Sequence, residues 1–320
     1  VTIYALKAHH PDRTMTLPFL RFRLGRIPVS IAPWFFFTAA FLNFDLAPQK
    51  LALWVLLVLA SILVHELGHA TAVLVFGLEP RIDVHGLGGT TSWSGGAKLS
   101  HGKRIIISLA GPAMGFLAWA AVLALRQLGV LPHTPLGDFT YSALSFVNLG
   151  WGVFNLLPML PLDGGSVLLH ALDAATKGRG ERPARIVSLS GAVLLAVGGA
   201  VRTDWWICFL ALFFANTNWQ GLKASRARDH DAPMQASLEQ AYEALEAKDA
   251  ARVLALARPV ALESQTVPVR AEALQLVAFG FLLEGRLADA DAAIAALPQG
   301  FAPHPSLLEL RATVAGPSSS

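Results

Sequence analysis

Residues 57–76 read LVLASILVHELGHATAVLVF, and the middle of this stretch sets two histidines and a glutamate inside a run otherwise fit for lipid. On a helix, residues four apart share a face. His65 and His69 can therefore turn both imidazoles toward one metal ion while Glu66 points beside its open coordination position. An acidic residue at the centre of a bilayer costs roughly 2.5–3.5 kcal/mol on insertion scales, and a metal is one of the few partners that offsets this. HExxH at His65–His69 thus reads as a metal-binding helix with a built-in base, and zinc is its natural occupant.

The whole chain has the same apolar character. Of 320 residues 54% are hydrophobic and 15% charged, with a mean hydropathy of +0.50. That balance excludes an ordinary soluble domain. Six stretches are free of acidic and basic residues and long enough, or nearly so, to cross a hydrocarbon core about 30 Å thick. They are Ile27–Phe44, Leu51–Gly77 apart from Glu66, Ile105–Leu125, Phe139–Leu162, Ile186–Val201 and Trp205–Leu222. Residues 1–230 carry 19 Lys and Arg against 11 Asp and Glu, a balance of +8, whereas 231–320 carry 6 against 11, a balance of −5. Two different bodies are therefore joined near residue 230.

Basic residues alternate between connections, at Arg21, Arg23 and Arg26, at Lys98, Lys103 and Arg104, at Lys177 to Arg185, and at Lys223 to Arg228. By the positive-inside rule both ends of this sequence are cytoplasmic, in a bacterial inner or plasma membrane. These charges are spent beside the membrane, so no nucleic-acid partner is expected. The first apolar run is a full span with no small-residue cleavage site after it, so a cleavable signal peptide is not expected. The single cysteine, Cys208, leaves no disulfide or thiolate metal site.

A catalytic zinc site usually has three protein ligands and one position for water, so a third ligand must come from elsewhere. The fourth stretch ends in NLLPMLPLDGGSVLLHAL, residues 155–172. Pro158 and Pro161 remove amide donors and unwind a helix there, and irregular backbone at depth is tolerated only where it lines a protein cavity. Asp163 is the only acidic group of that segment and can either complete the metal site or cap the helix that begins after Gly164.

HExxH in one span followed by NxxPxxPLDGG in a later one resembles the site-2 protease family of intramembrane zinc metalloproteases. The resemblance covers roughly residues 20–225, and SLAGPAMGF at 108–116 resembles the Gly-Pro segment between the family's two motifs. It implies a single catalytic Zn2+ held by His65, His69 and Asp163, with Glu66 as general base and Asn155 facing the cleft to hold the scissile peptide. It also implies membrane-anchored proteins as substrates.

EPRIDVHGLGGTTSW, residues 79–93, reads as a cytoplasmic hairpin or small sheet. In the family such a sheet is thought to accept an extended substrate as an added strand. Glycines at 86, 88, 89, 95 and 96 lead us to expect that this segment moves to admit substrate. His85, His101, His133 and His170 read as loop or interfacial histidines rather than ligands.

Residues 238–260 and 271–299 each read as two amphipathic helices, meeting around Lys248-Asp249 and Gly285-Arg286. The second resembles a tetratricopeptide repeat, whose concave face suits a regulatory protein partner. No segment resembles the PDZ or CBS modules of some relatives.

The expected fold is mainly α. It comprises a polytopic transmembrane bundle of about six spans, a small cytoplasmic β-hairpin or sheet, and a C-terminal α-helical repeat domain. The expected divisions are an N-terminal extension at 1–20, the metalloprotease domain at 21–225, a linker at 226–235, the helical domain at 236–315 and a disordered tail at 316–320. Intramembrane proteolysis is the expected activity; a membrane-anchored helical-repeat adaptor with a non-catalytic zinc site is the alternative. An intact Glu66 favours the enzyme, since a structural site needs no base.

Overall fold

The computed structural model describes residues 20–94 and 99–315. The expectations for most of the N-terminal extension, for Gly95 and Gly96 and for the tail at 316–320 lie outside the described residues. The chain divides by contacts into two compact units, one running to Gln220 and the other from Gly221 onward.

The first unit opens with a sheet. Strands β1 (Leu20–Leu24) and β2 (Ile27–Ile31) form an antiparallel hairpin. β2 then pairs in parallel with β3 (Glu79–His85), which turns back antiparallel into β4 (Gly88–Ser94). Alternation explains the strand at 27–31. Val29 and Ile31 point inward against Ile82 and Val84, all four at most 2% exposed, while Ser30 donates a hydrogen bond to Asp83 at the neighbouring register position.

The stretch expected as a first helical span, 27–44, therefore splits. Its first part is β2 and only Pro33–Phe41, nine residues, is helix α1. Pro33 sets the break, because its ring fixes φ for a first helical turn. The expected cytoplasmic hairpin at 79–93 is the β3–β4 half of this larger sheet.

Among the described residues three helices are long and apolar enough to cross a membrane: α2 (Pro48–Val75), α3 (His101–Gln127) and α7 (Glu181–Val201). The fourth expected span, 139–162, is interrupted. It comprises α4 (Pro135–Ser145), a π-turn at Phe146–Gly150, the short α5 (Trp151–Asn155) and an irregular segment before α6 (Asp163–Thr176).

The proline-broken segment needs outside partners for its backbone. Ser188 of α7 donates nothing to it but accepts from the Leu160 N–H at 2.9 Å, and the Asn218 amide donates to the Leu160 carbonyl at 2.6 Å. Both side chains are fully buried. This accounts for Asn218 within α8 (Trp205–Asp231), a helix that its polar residues Asn216, Asn218 and Gln220 keep out of the strongly apolar group.

Helices α2 and α3 meet at their smallest residues. A Cβ on Gly68 would fall 2.3 Å from the Ala110 carbonyl oxygen, so only glycine permits this backbone approach. At the other end of α2 the Trp54 indole donates to the Ala39 carbonyl at 2.9 Å, tying α1 alongside.

The second unit is helical. α9 (Met234–Glu246) and α10 (Ala250–Glu263) meet at Lys248-Asp249. α11 (Val267–Leu283) and α12 (Leu287–Ala295) meet at Gly285-Arg286, and α13 (Pro305–Ala315) follows. Lys248 and Gly285 both take positive φ, 56° and 72°, as tight helix-to-helix turns require. α11 is buried almost all round and forms the axis on which Leu238, Val253, Leu254 and Leu307 pack.

Asp231 anchors the start of α11. Its carboxylate, 2% exposed, accepts from the N–H groups of Gln265 and Thr266 at 2.9 and 2.7 Å and from the Thr266 hydroxyl at 2.6 Å. Burial alone would raise its pKa, but these hydrogen bonds and one from His230 outweigh it and hold the group well below the ordinary carboxylate range. A depressed folded-state pKa stabilises the fold above about pH 4, the unfolded value, and the contribution is lost as pH falls through the folded one. Asp231→Ala should therefore cost this unit about 1–3 kcal/mol at neutral pH, with the difference from wild type shrinking in strong acid. Hydrogen exchange of the 234–315 amides in the intact chain measures it.

Candidate metal centre

HExxH lies in the second half of α2, and an uninterrupted helix puts His65 and His69 one above the other. Their Nε2 atoms are 3.1 Å apart, with the rings nearly perpendicular at 78°. Asp163 faces both: one carboxylate oxygen lies 3.2 Å from His65 Nε2 and the other 3.3 Å from His69 Nε2. Bonds of about 2.0–2.2 Å around a tetrahedral zinc place neighbouring donors roughly 3.3 Å apart, so the donor set fits that ion. The alternative for Asp163, capping, is not what it does, because Leu162 occupies the N-cap of α6 and Asp163 sits within the first turn.

The neighbours of these side chains fix their orientation. His69 Nδ1 is 2.6 Å from the Ile107 carbonyl of α3, so it donates there and leaves the Nε2 lone pair facing Asp163 and His65. Gly111 makes room for the ring; a Cβ there would lie 2.2 Å from His69 Nε2. Pro112, next in the chain, denies the Ser108 carbonyl its usual donor and loosens the ladder beside Ile107. This is the physical content of the Gly-Pro segment. Gly164 and Gly165 do similar service for Asp163. Any Cβ on either would collide with the backbone of residues 156–160, at 2.1 to 2.4 Å.

Glu66 is 4% exposed and engaged. The Thr91 hydroxyl of β4 lies 2.7 Å from its carboxylate and 3.2 Å from its backbone carbonyl, and Gly89 passes so close that a Cβ would sit 2.4 Å from the Glu66 side chain. Asn155, at the end of α5, lines the same 490 Å3 cleft as His65, Glu66, His69 and Asp163. The structure thus brings together all five residues singled out in the sequence.

Three supports had no local signature in the sequence. These are the Ile107 carbonyl, Thr91, and the buried pair in which the Asn148 amide of the π-turn donates to Ser61 Oγ at 2.9 Å, one turn before His65. An asparagine inside an apolar run was the available clue to the last.

Two imidazoles and a carboxylate converging beside a buried glutamate, among helices apolar enough for a bilayer, make a donor set of the kind that zinc metalloproteases use. Comparison with known proteins agrees. The profile of Peptidase family M50 matches residues 137–198. The zinc metalloprotease candidate Rip3 of Mycobacterium tuberculosis is 34% identical over 173 residues, covering 49% of this chain and 42% of that protein. A zinc metalloprotease of Methanocaldococcus jannaschii is 30% identical over 114 residues, covering 35% of this chain and 32% of that one. The chain spans less than half the length of these curated relatives. The solved site-2 protease of Methanocaldococcus jannaschii shares the fold with a TM-score of 0.50 at 24% identity, over 63% of this chain and 94% of that structure. Residues 137–198 of the membrane unit are thus similar to peptidase family M50, and the unit shares its fold with a solved site-2 protease.

Gly111→Ala should displace the His69 ring and weaken zinc binding at least tenfold while leaving the helices intact. Metal content against a graded chelator series, with circular dichroism as the control for folding, checks this.

Proposed function

We propose that the chain is an intramembrane zinc metalloprotease that hydrolyses peptide bonds in or near the transmembrane segments of membrane-anchored proteins. The observation that carries this reading is the convergence of His65, His69 and Asp163 within 3.3 Å of one another beside Glu66. Zinc, held by those three side chains, supplies Lewis acidity at the reacting carbonyl. Glu66 takes the proton of the attacking water and delivers it to the leaving amine. Asn155 holds the scissile peptide in the cleft. The substrate segment must unwind first, because helical carbonyls are engaged in their own hydrogen bonds. The outer edge of β4 supplies a place for the unwound strand, as strand addition to a sheet edge requires.

We take the chain to cross the bilayer about six times, with α1 entering the first passage after the sheet, α4 to α5 making the fourth and α8 the sixth. The basic connections, and with them both ends of this sequence, then lie on the cytoplasmic face of a bacterial inner membrane. The helices of 236–315 form a tetratricopeptide-like unit that receives a regulatory protein. A helical adaptor with a non-catalytic zinc site would have no use for Glu66, buried against the ligands yet not among them.

Glu66→Gln should retain zinc and lose cleavage of a model transmembrane substrate by at least a thousandfold, the loss scale of a single essential catalytic group. His65→Ala, His69→Ala and Asp163→Ala should lose zinc and activity together. Near wild-type cleavage by Glu66→Gln in reconstituted liposomes would refute the assigned role.

A further inference from the structure

Helix α6 carries more than Asp163. Asp163, Ser166, His170 and Asp173 follow one another at steps of three and four residues, which places them in one stripe along the helix. Ser166 and His170 line the same cleft as the metal centre, together with Arg104 of α3. At the far end of the stripe, His170 and Asp173 meet His101, the first residue of α3. The rings of His101 and His170 stand 6.0 Å apart, tilted by 44°. One donor atom from each, with a carboxylate oxygen of Asp173, all lie within 4.8 Å of one another. The two histidines that read as isolated in the sequence are thus neighbours in space.

Two further observations single out this cluster. His170 Nδ1 is enclosed by protein and has no hydrogen-bond partner. Leaving such an atom unsatisfied is costly, and a ligand would recover that cost. Asp173 is held in place, since one of its oxygens accepts from the Gly180 N–H at 2.8 Å and its backbone carbonyl accepts from Gly178 at 2.9 Å. The carboxylate is therefore presented in a fixed direction.

We propose that His101, His170 and Asp173 form a second divalent-cation site of the zinc-binding class, separate from the centre at His65, His69 and Asp163. Two imidazoles and a carboxylate are the nitrogen and oxygen donors such an ion prefers. The last turns of α6 contribute the negative end of a helix dipole, which offsets the positive end presented by the start of α3. Arg104 opposes the ion, and donors spread to 4.8 Å must close to roughly 3.3 Å around it, so this site binds more weakly than the first.

Its position matters. His170 lies seven residues beyond Asp163, about 10 Å along α6, and His101 lies six residues before the Ile107 carbonyl that holds His69. An ion there clamps together, at one end of the cleft, the two helices that position the first centre.

The test is zinc stoichiometry of the full untagged chain in detergent, measured by mass spectrometry across a series of buffered free-zinc concentrations. Two ions per chain are expected at saturation, the second released by milder chelation. His101→Ala and His170→Ala should each remove the second ion and keep the first, whereas His65→Ala should do the reverse, so the two sites succeed or fail independently. Arg104→Gln should bind the second ion several-fold more tightly. If His170→Ala fails to fold, His101→Ala and Asp173→Asn carry the same expectation. A single ion at saturating zinc, or a second ion that survives both histidine substitutions, overturns the proposal.

Discussion

The centre depends on how closely two helices can approach. With glycine at 68, α2 and α3 touch backbone to backbone, and glycine at 111 leaves room for the His69 ring whose Nδ1 meets the Ile107 carbonyl. That bond holds the imidazole in one tautomer and aims its other nitrogen at Asp163. A methyl group at 68 would strike the Ala110 carbonyl and force α3 away, and one at 111 would strike the His69 ring itself. The metal-binding geometry thus rests on the smallness of two residues that carry no side chain.

The same logic governs the irregular segment before α6. Two prolines free backbone groups in an apolar setting, where each unsatisfied group costs several kcal/mol. Ser188 and Asn218 absorb that cost from two separate helices by meeting the N–H and carbonyl of one residue, Leu160. The break in the chain, the glycines that follow it and the polar residues of α7 and α8 form one device whose product is the fixed position of Asp163.

Much of this was legible in the sequence because it is written locally. The spacing of His65 and His69 on a helix, the helix-breaking PLDGG segment and the helix-to-helix turns at Lys248 and Gly285 each follow from a few adjacent residues. The stretch 27–44 was misread as a continuous span because an unbroken apolar run does not distinguish a buried strand from a helix. The alternation of Val29 and Ile31 and the proline at 33 decide it only once Ile82 and Val84 are seen to face them. Asn148 with Ser61, Thr91 with Glu66 and His101 with His170 are pairs far apart in the chain, and no local pattern announces them.

The Thr91 hydroxyl has a consequence of its own. It occupies the carboxylate of Glu66, the proposed base, and belongs to β4, the strand at whose edge a peptide would add. Recognition and activation are then mechanically the same event: a ligand that leaves β4 undisturbed finds the carboxylate engaged, whereas one that draws the strand outward releases it. On the proposed function such an arrangement would discriminate by backbone shape rather than by side-chain identity. On the proposed function, tolerance for many sequences and protection against accidental hydrolysis would both follow from one hydroxyl group.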